Sequence, residues 1–418
     1  MTTLPRSVQL KLDLLFEGIR YTGALGAAAD GALPNYYPYR FAEGEPDPTG
    51  TGQAAIPFML TLEDDTHIRI KGNPESSYHV ERDAAGRSRL EHDGASESWL
   101  IDFEPLPSWM SLRCSDGTPM SRTGVSIHGD MLVVNPAPGC QYWPARQRFG
   151  RRMRCAFCLY GQPADHHAAL GQDIDDPLLP DWALQRIRET VAAALATETI
   201  RHVYLVAGSM IDWEDEARRF LQVARSLREG CAGLPYVACG SGALPHHALQ
   251  ALHDESLVDG VCFNLEVFGE ELFERICPGK AQSVGYGPWI RSLERAVDLW
   301  CPGNVYTAMV AGVELEARYA GLPVSEASRR ALAGAAEMLE RGILPIFSLY
   351  WPLYGRASVE LLNSLREYFA TIHLGYAELR RSRQVAFNDA FMCHRCSYMQ
   401  LECDLDRADG LAISHRVS

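Results

Sequence analysis

Lysine is scarce in this 418-residue chain, and several other features are missing altogether. The three lysines, Lys11, Lys71 and Lys280, leave few candidates for Schiff-base chemistry, and arginine carries almost all of the basic charge. No apolar run approaches the length of a membrane span, so we expect no membrane-spanning segment. The net charge of −14 is the opposite of a basic nucleic-acid-binding surface, so no nucleic-acid partner is expected.

The N-terminal segment also lacks the basic-then-apolar pattern of an export signal, which predicts a cytoplasmic location. In that compartment the twelve irregularly spaced cysteines are expected to be free or metal-bound rather than paired in disulfides. A composition of 47% hydrophobic and 22% charged residues is ordinary for a globular protein. The length allows two or three domains.

Hydrophobic patterning predicts an α/β protein with three regions: a β-rich accessory domain at residues 1–128, a partial (β/α)6 barrel at 129–370 and a small Cys-rich extension at 371–418. The alternating runs that predict strands in the first region are Gln9–Phe16, Pro57–Leu62, His67–Lys71, Tyr78–Arg82 and Ser98–Phe103. The barrel is predicted to begin with a hairpin of Val125–His128 and Met131–Val134.

The barrel region alternates strand-like and helix-like segments, the pattern of a parallel sheet. Its further predicted strands are His202–Val206, Tyr236–Cys239, Gly260–Leu265, Val305–Val310 and Leu344–Leu349. Its predicted helices are Asp181–Glu198, Asp212–Arg228, Pro245–Asp254, Gly287–Leu299, Ser325–Arg341 and Ser358–Phe369. Active-site residues are therefore expected at the carboxyl ends of the strands.

Three cysteines follow the first barrel strand with a CX14CX2C spacing: Cys140, Cys155 and Cys158. Cysteines on one loop after a strand can present three thiolates to a metal centre, and a four-iron cluster so held keeps one iron open for a ligand. A structural zinc site is the alternative, because Cys155 and Cys158 could combine with a second C-x-x-C pair, Cys393 and Cys396, into a four-sulfur set.

With Phe157 just before its last cysteine, this loop resembles that of the radical S-adenosylmethionine (radical SAM) superfamily. The usual spacing there is three residues then two, and in that register Arg151 takes the place of the first cysteine. The longer first spacing is similar to that of some 7-carboxy-7-deazaguanine synthases. The resemblance implies a [4Fe–4S] cluster held by the three loop cysteines, with Phe157 and Tyr160 beside the cofactor.

Three later segments, each at a strand end, resemble SAM-binding segments of this superfamily. Gly208 and Ser209 follow the second strand, in the place where a glycine-rich segment exposes carbonyls to the SAM amino group. Asn264 and Glu266 resemble the Asn-Leu-Glu segment of lipoyl and biotin synthases, with Pro278-Gly279 a dozen residues on. Strand alternation would point both side chains to one face, toward the ribose hydroxyls.

The last of these segments follows the fifth strand, where Val310 and Gly312 would pack against adenine. Each segment also has a purely structural alternative. Gly208 and Ser209 could form a simple turn, Asn264 and Glu266 could cap a helix, and Val310 could belong to a buried strand.

The C-terminal extension carries Cys393, Cys396 and Cys403, which is a second metal-site pattern. We expect a second iron–sulfur cluster there, with zinc as the alternative. The candidates for a fourth ligand are Cys277, Cys301, Asp404 and the substrate itself.

The resemblance implies an enzyme that reductively cleaves SAM at the cluster to a 5′-deoxyadenosyl radical, which abstracts hydrogen from a small-molecule substrate in natural-product or cofactor biosynthesis. Reduced flavodoxin or ferredoxin would supply the electron. Sulfur insertion and aminocarboxypropyl transfer are alternatives within the same chemistry. A zinc-stabilised, non-catalytic α/β binding protein is the alternative from another class.

Overall fold

The computed structural model describes residues 4–137, 139–147, 150–158, 175–352 and 358–409. Within these ranges the chain forms two compact units. Unit 1 extends through Pro107 and resumes at Cys393, and unit 2 spans Ser108–Met392. The domain boundaries predicted after residues 128 and 370 remain predictions.

Unit 1 is built on an antiparallel sheet. Its helices and strands are α1 (Arg6–Glu17), α2 (Gly23–Ala28), β1 (Tyr39–Arg40), β2 (Gln53–Ala54), β3 (Met59–Leu62), β4 (His67–Arg69), β5 (Tyr78–Arg82), β6 (Ser88–His92), β7 (Ser98–Phe103) and a C-terminal helix, Glu402–Ala408. Strands β3 to β7 form one five-stranded sheet in the order β4-β3-β7-β6-β5, and β1 pairs with β2. The strand-rich character predicted for the N-terminal region is present.

The predicted strand at Gln9–Phe16 is wrong, because this segment lies within helix α1. The alternating pattern QLKLDLLF misled the prediction, since leucine, lysine and glutamine are strong helix formers. Val8, Leu12 and Leu15 recur at helical spacing and are fully buried.

A buried ion pair ties the C-terminal helix to α1 inside unit 1. The Lys11 ammonium donates to Asp404 Oδ2 over 2.6 Å and to the carbonyl oxygen of Ser397 over 2.6 Å. The side chains of Lys11 and Asp404 are 0% and 2% exposed, so each charge depends on the other. Asp404, a candidate fourth ligand of the C-terminal metal site from the sequence, therefore forms an ion pair with Lys11.

Unit 2 alternates strands and helices. Its strands are β8 (Val125–His128), β9 (Met131–Ala137), β10 (His202–Ala207), β11 (Tyr236–Ser241), β12 (Gly260–Phe263), β13 (Val305–Ala311) and β14 (Leu344–Leu349). Its helices are α3 (Asp181–Thr197), α4 (Trp213–Gly230), α5 (His246–Asp254), α6 (Glu270–Ile276), α7 (Pro278–Ser283), α8 (Tyr286–Trp300), α9 (Val324–Glu340) and α10 (Val359–Ser382). Short 3-10 turns occupy Ser108–Ser111, Met120–Arg122 and Val313–Leu315.

The strands of unit 2 form one seven-stranded sheet in the order β14-β13-β12-β11-β10-β9-β8. Strands β9 to β14 are parallel, and β8 pairs antiparallel with β9, which confirms the predicted hairpin. The sheet is curled into a half-barrel, consistent with the predicted partial barrel. Parallel order brings the loops after β9, β10, β12 and β13 to the same edge, the carboxyl edge of the sheet.

Across the described ranges, none of the helices combines the length and the apolar character that crossing a membrane requires.

Candidate functional site

The cysteine loop after β9 lies against the segment that follows β10. The amide of Gln141 donates to the carbonyl oxygen of Ser209 over 3.0 Å. A Cβ on Gly208 would lie 2.0 Å from the carbonyl oxygen of Gly139, so only glycine permits this approach of two main chains. The predicted cofactor residues Gly208 and Ser209 therefore support the loop that carries Cys140.

The three loop cysteines differ in exposure. Cys155 is buried, whereas Cys140 and Cys158 are half-buried. The amide of Cys158 donates to the carbonyl oxygen of Cys155 over 3.2 Å, and the neighbouring amide of Ala156 donates to Ile276 over 2.8 Å. Cys140 lies close enough to Cys155 for the charge of Cys155 to raise the pKa of Cys140. The structure thus brings Cys140 toward the C-x-x-C pair, while their role as ligands remains a prediction.

Cys155 is the thiol whose surroundings favour ionisation. A hydrogen bond with Cys277 and the ammonium of Lys280 lower the pKa of Cys155, although burial opposes the shift. Burial and the nearby Cys155 raise the pKa of Cys277 well above its usual value, so Cys277 keeps its proton. Burial raises the pKa of Cys140 to about 11, and Cys155 adds to that shift. Cys140 is therefore a thiol that needs a bound cation to become a thiolate.

Sequence reasoning considered Cys277 only as a candidate fourth ligand of the C-terminal metal site and missed its contact with Cys155. The adjoining Pro278-Gly279 explains how the contact forms. The amide of Gly279 donates to the carbonyl oxygen of Met153 over 2.8 Å, and a Cβ there would lie 2.5 Å from that oxygen. Gly279 thus lets the segment that opens α7 pack directly on the cysteine loop.

A buried ion pair joins the end of β12 to helix α7. The Lys280 ammonium donates to Glu266 Oε1 over 2.6 Å and to the carbonyl oxygen of Asn264 over 2.5 Å. It also lies 5.0 Å from the ring centroid of Trp289. Burial alone would lower the pKa of Lys280, but the Glu266 carboxylate and the Cys155 thiol raise it overall. Lys280 is therefore a fixed positive charge shared by Glu266 and Cys155.

The strand alternation that predicted one face for Asn264 and Glu266 does not extend that far. Strand β12 ends at Phe263, and Glu266 has a φ of 74°, in the left-handed region. Its main chain bridges to β13 instead, where the amide of Val310 donates to the Glu266 carbonyl over 2.8 Å. The two side chains are positioned by this turn and by Lys280, and their contact with ribose remains a prediction.

Glu216 is a buried carboxylate that sequence reasoning missed. It projects from helix α4, and its oxygens accept from the amide of Met210 over 3.0 Å and that of Gly242 over 2.7 Å. Burial raises its pKa, and the two amides oppose the shift. Glu216 therefore ties the segments after β10 and β11 together at the carboxyl edge. The local sequence offers little signal for it, because Glu216 is one of three consecutive acidic residues in the first turn of the helix, where acidic residues are common.

The end of β13 is shaped by its contact with α10. Gly312 has a φ of 109°, and a Cβ there would lie 2.4 Å from Leu365 Cδ2. Its amide donates to Glu314 over 3.1 Å, and the buried Glu314 also accepts from the hydroxyl of Tyr368. The requirement for glycine at 312 is thus explained by the backbone and by packing. The predicted contacts of Val310 and Gly312 with adenine remain predictions.

The remaining loop predictions concern aromatic residues and arginines. Phe157 is half-buried, and Tyr160 lies outside the described residues. Arg151, at the position of the first cysteine in the usual spacing, donates to the carbonyl oxygens of Glu274 over 3.3 Å and Arg275 over 2.8 Å. It therefore binds the carboxyl end of helix α6, where a cation is favoured.

In unit 1, two of the three C-terminal cysteines lie together. Cys393 Sγ and Cys396 Sγ are 3.0 Å apart. Cys403 is fully buried, and its sulfur accepts from the Ser397 hydroxyl over 3.2 Å. Burial raises the pKa of Cys403. The structure therefore forms the C-x-x-C pair, and the ligand roles of Cys393, Cys396 and Cys403 remain predictions.

These observations define an α/β protein with a half-barrel sheet whose cysteine loop, buried lysine and buried carboxylates gather at the carboxyl edge. A comparison with characterised proteins finds a bacteriochlorophyllide c C-7(1)-hydroxylase from Chlorobaculum limnaeum, 23% identical over 258 residues. The match covers 59% of this chain, and the chain spans 59% of the length of that relative. No protein-family model matches the chain.

Among solved structures, the chain is similar to catalytic-site mutants of active domain 2 of chitinase from Pyrococcus furiosus. Two such structures give TM-scores of 0.28 and 0.26 at 12% and 11% identity. They cover 49% and 46% of this chain, and 68% and 67% of the chitinase chains. Overlap at this level carries no argument about function.

The donor atoms suit a sulfur-ligated metal centre. Cys155 is a buried thiol with a lowered pKa, Cys140 lies near it, and Cys158 follows within the same turn. Thiolates are the ligands that iron–sulfur clusters and zinc prefer. The loop can therefore hold either group.

Proposed function

We propose that this chain is a radical SAM enzyme with a (β/α)6 half-barrel whose cysteine loop holds a [4Fe–4S] cluster through Cys140, Cys155 and Cys158. The observation that carries the proposal is the placement of the buried Cys155 thiol, with Cys140 and Cys158 on the same loop, at the carboxyl edge of the parallel sheet; Cys277 and Lys280 lower the pKa of Cys155. A structural zinc site would need a fourth ligand in the same place, and Cys277, whose thiol contacts Cys155, is the candidate for it; the metal analysis below tests that alternative. The similarity to a hydroxylase supports an enzyme rather than a purely structural protein.

In this proposal the chain's own residues prepare the site for SAM. When bound, the cluster supplies the electron that cleaves SAM to methionine and the 5′-deoxyadenosyl radical, which takes a hydrogen atom from the substrate. Gly208 and Ser209 offer main-chain carbonyls for the SAM amino group, and Asn264 and Glu266 face the ribose. Lys280 orients the Glu266 carboxylate through its 2.6 Å contact and opposes the rise in the pKa of Glu266 that burial causes. Val310 and Gly312 pack against adenine.

For the reaction, we propose hydrogen abstraction from an unreactive carbon of a small molecule in natural-product or cofactor biosynthesis. The name of the Chlorobaculum relative places its hydroxylation on a carbon of bacteriochlorophyllide c. That name supports chemistry at a C–H bond more than it supports sulfur insertion or aminocarboxypropyl transfer. Reduced flavodoxin or ferredoxin is the proposed electron donor, and the proposed location is the cytoplasm.

The C-terminal cysteines are proposed to hold a second iron–sulfur cluster, with zinc as the other metal to be tested. The observation in favour is the 3.0 Å separation of the Cys393 and Cys396 sulfur atoms, which lets one metal centre use both.

The test is metal and sulfide analysis after anaerobic reconstitution, with a visible spectrum and an assay for 5′-deoxyadenosine under strong reductant. The wild type is compared with a triple alanine variant of Cys140, Cys155 and Cys158. The matched control removes three cysteines elsewhere in unit 2, Cys114, Cys231 and Cys239.

We expect about eight irons in the wild type and in the control, about four in the loop variant, and 5′-deoxyadenosine only where the loop is intact. Four irons in the wild type and none in the loop variant would retain the radical SAM proposal and assign zinc to the C-terminal cysteines. If the protein contains zinc but no iron and forms no 5′-deoxyadenosine from SAM under strong reductant, the proposal is refuted. The zinc-stabilised binding protein is then the remaining alternative.

A further inference from the structure

A group of side chains that could bind a metal ion lies in unit 1, and none of them was among the candidate ligands described above. The ligand atoms of Asp65, His67 and His394 all lie within 4.8 Å of one another. His67 Nε2 is 3.0 Å from Asp65 Oδ1, and His394 Nε2 is 2.6 Å from Asp65 Oδ2. Because His394 is 329 residues from Asp65 in sequence, the fold rather than local sequence brings the set together.

We propose that Asp65, His67 and His394 bind a divalent transition-metal cation, with zinc as the cation of first choice. Two imidazole nitrogens and one carboxylate are a common protein ligand set for zinc and for iron(II), and they leave coordination positions for water. The same contacts bring each ligand nitrogen close to a carboxylate oxygen, so a cation can replace the hydrogen bonds without a large movement of side chains.

The support around His67 is of the kind that orients a metal ligand. Thr61 Oγ1 lies 2.9 Å from His67 Nδ1, on the ring atom opposite Nε2. A partner at Nδ1 fixes the ring, and because a hydroxyl can donate or accept, Thr61 can also pair with Nδ1 in the tautomer whose Nε2 binds a cation. The His67 side chain is 2% exposed, whereas those of Asp65 and His394 are 52% and 23% exposed. The set is thus held from inside and open to ions from solvent.

The alternative is an ordinary hydrogen-bonded network without a metal. That alternative would be favoured if a nearby arginine bound the Asp65 carboxylate. Arg407 donates to the main-chain carbonyl oxygens of Asp64 and Asp65 rather than to the Asp65 carboxylate. Arg395 is 3.4 Å from a carboxylate oxygen of Glu104. The two oxygens of the Asp65 carboxylate face the two histidines, with Oδ1 3.0 Å from His67 Nε2 and Oδ2 2.6 Å from His394 Nε2.

This site is separate from the proposed cysteine centres. His394 stands between Cys393 and Cys396 in sequence, yet its ring contacts Asp65, while the two sulfur atoms contact each other. Nitrogen and oxygen ligands also distinguish it chemically from thiolate sites. The inference does not depend on the radical SAM proposal, since every ligand is on unit 1 and none belongs to the cysteine loop.

The test is a titration of chelator-stripped protein with zinc alone and, in parallel, with cobalt(II) alone. The ligand variants are Asp65→Asn and His394→Ala. Asparagine suits position 65 because Asp65 has a φ of 65°, which asparagine tolerates better than most residues. The matched control is Asp64→Asn, which removes one negative charge from the neighbouring residue. The cysteines are controlled by a Cys393→Ser/Cys396→Ser variant.

We expect the wild type, the Asp64 control and the cysteine variant to share one zinc equivalent that both ligand variants lose or bind at least ~100-fold more weakly. Its cobalt spectrum should lack a thiolate-to-metal charge-transfer band. Thr61→Val should weaken zinc binding by about 10- to 100-fold at unchanged stoichiometry, since it removes only the group that orients His67.

Wild-type stoichiometry and affinity in both ligand variants would overturn the proposal, and so would a lost equivalent that carries the thiolate band. Circular dichroism and thermal unfolding establish that each variant is folded. If His394→Ala does not fold, Asp65→Asn decides the outcome alone, because its side chain is partly exposed and its backbone preference is kept.

Discussion

Removing the Lys280 ammonium tests how strongly the buried ion pair holds the candidate site together. The Lys280 and Glu266 side chains are 7% and 12% exposed, and their charged atoms are 2.6 Å apart. At an effective dielectric constant of about 20, two unit charges at that distance attract by about 6 kcal/mol. Much of that attraction offsets the desolvation of the two ions. We therefore expect Lys280→Met to reduce the free energy of unfolding by about 3–5 kcal/mol, because it leaves a buried carboxylate without its cation.

The measurement is a double-mutant cycle in urea, followed by tryptophan fluorescence and circular dichroism. Adding Glu266→Gln to Lys280→Met should cost less than the sum of the two single changes by about 2–3 kcal/mol, because the double variant has no unpaired charge. Arg225→Met is the matched control, since Arg225 and Glu255 are also 2.6 Å apart but are 44% and 42% exposed. That control should cost at most about 1 kcal/mol.

The reasoning is refuted if Lys280→Met destabilises no more than Arg225→Met, or if the two single changes simply add. Either result would mean that water or main-chain groups already compensate Glu266. The cycle is independent of SAM and of iron, so it tests the structure of the site without the proposed chemistry.

Three further predictions concern other parts of the chain. Gly208→Ala should lower iron incorporation, because its Cβ would lie 2.0 Å from a main-chain oxygen of the cysteine loop, whereas Gly23→Ala, with no atom within 4 Å, should leave it unchanged; equal iron contents would contradict this. Burial raises the pKa of Glu314, so the folded state binds its proton more tightly than the unfolded state does. The wild type should therefore lose stability relative to Glu314→Gln as pH rises above about 4.3, the unfolded value, and urea midpoints at several pH values that keep a constant difference would refute the shift. Lys11→Met should destabilise unit 1 by about 3–5 kcal/mol in thermal or urea unfolding, since it removes the buried cation 2.6 Å from the 2%-exposed Asp404 side chain and leaves only the more distant Arg407 at 3.7 Å, and a loss below about 1 kcal/mol would contradict that.

The parallel sheet was predictable because its strands are short apolar runs between turn-forming residues. The predicted strand Leu344–Leu349 matches its observed bounds, and the predicted hairpin of β8 and β9 is confirmed. Such runs bury both faces and need no information from distant residues. The strand predicted at Gln9–Phe16 is instead part of the helix Arg6–Glu17. In that segment an alternating pattern, which favours a strand, competes with strong helix formers.

The site was predictable only where a motif is local. The C-x-x-C pairs and the strand-end glycines are visible in sequence, but the partner of Cys155 is Cys277, more than a hundred positions away. Glu216 is one of three acidic residues in the first turn of its helix, so nothing local distinguishes it, and its amide partners come from two other segments. Contacts of this kind are set by the packing of the sheet edge, which periodicity does not encode.

Unit 1 is built from two segments of the chain, one before unit 2 and one after it, and this has a consequence for its synthesis. The Lys11–Asp404 contact spans 393 residues, so α1 meets its partner helix only after the whole of unit 2 has left the ribosome. Unit 2, which is continuous, can fold during translation, whereas the N-terminal segment must wait with the apolar face of α1 uncovered. Removing residues 393–409 would therefore uncover helix α1, which precedes unit 2 in the chain, and the apolar face of α1 is where we expect a chaperone to bind during synthesis.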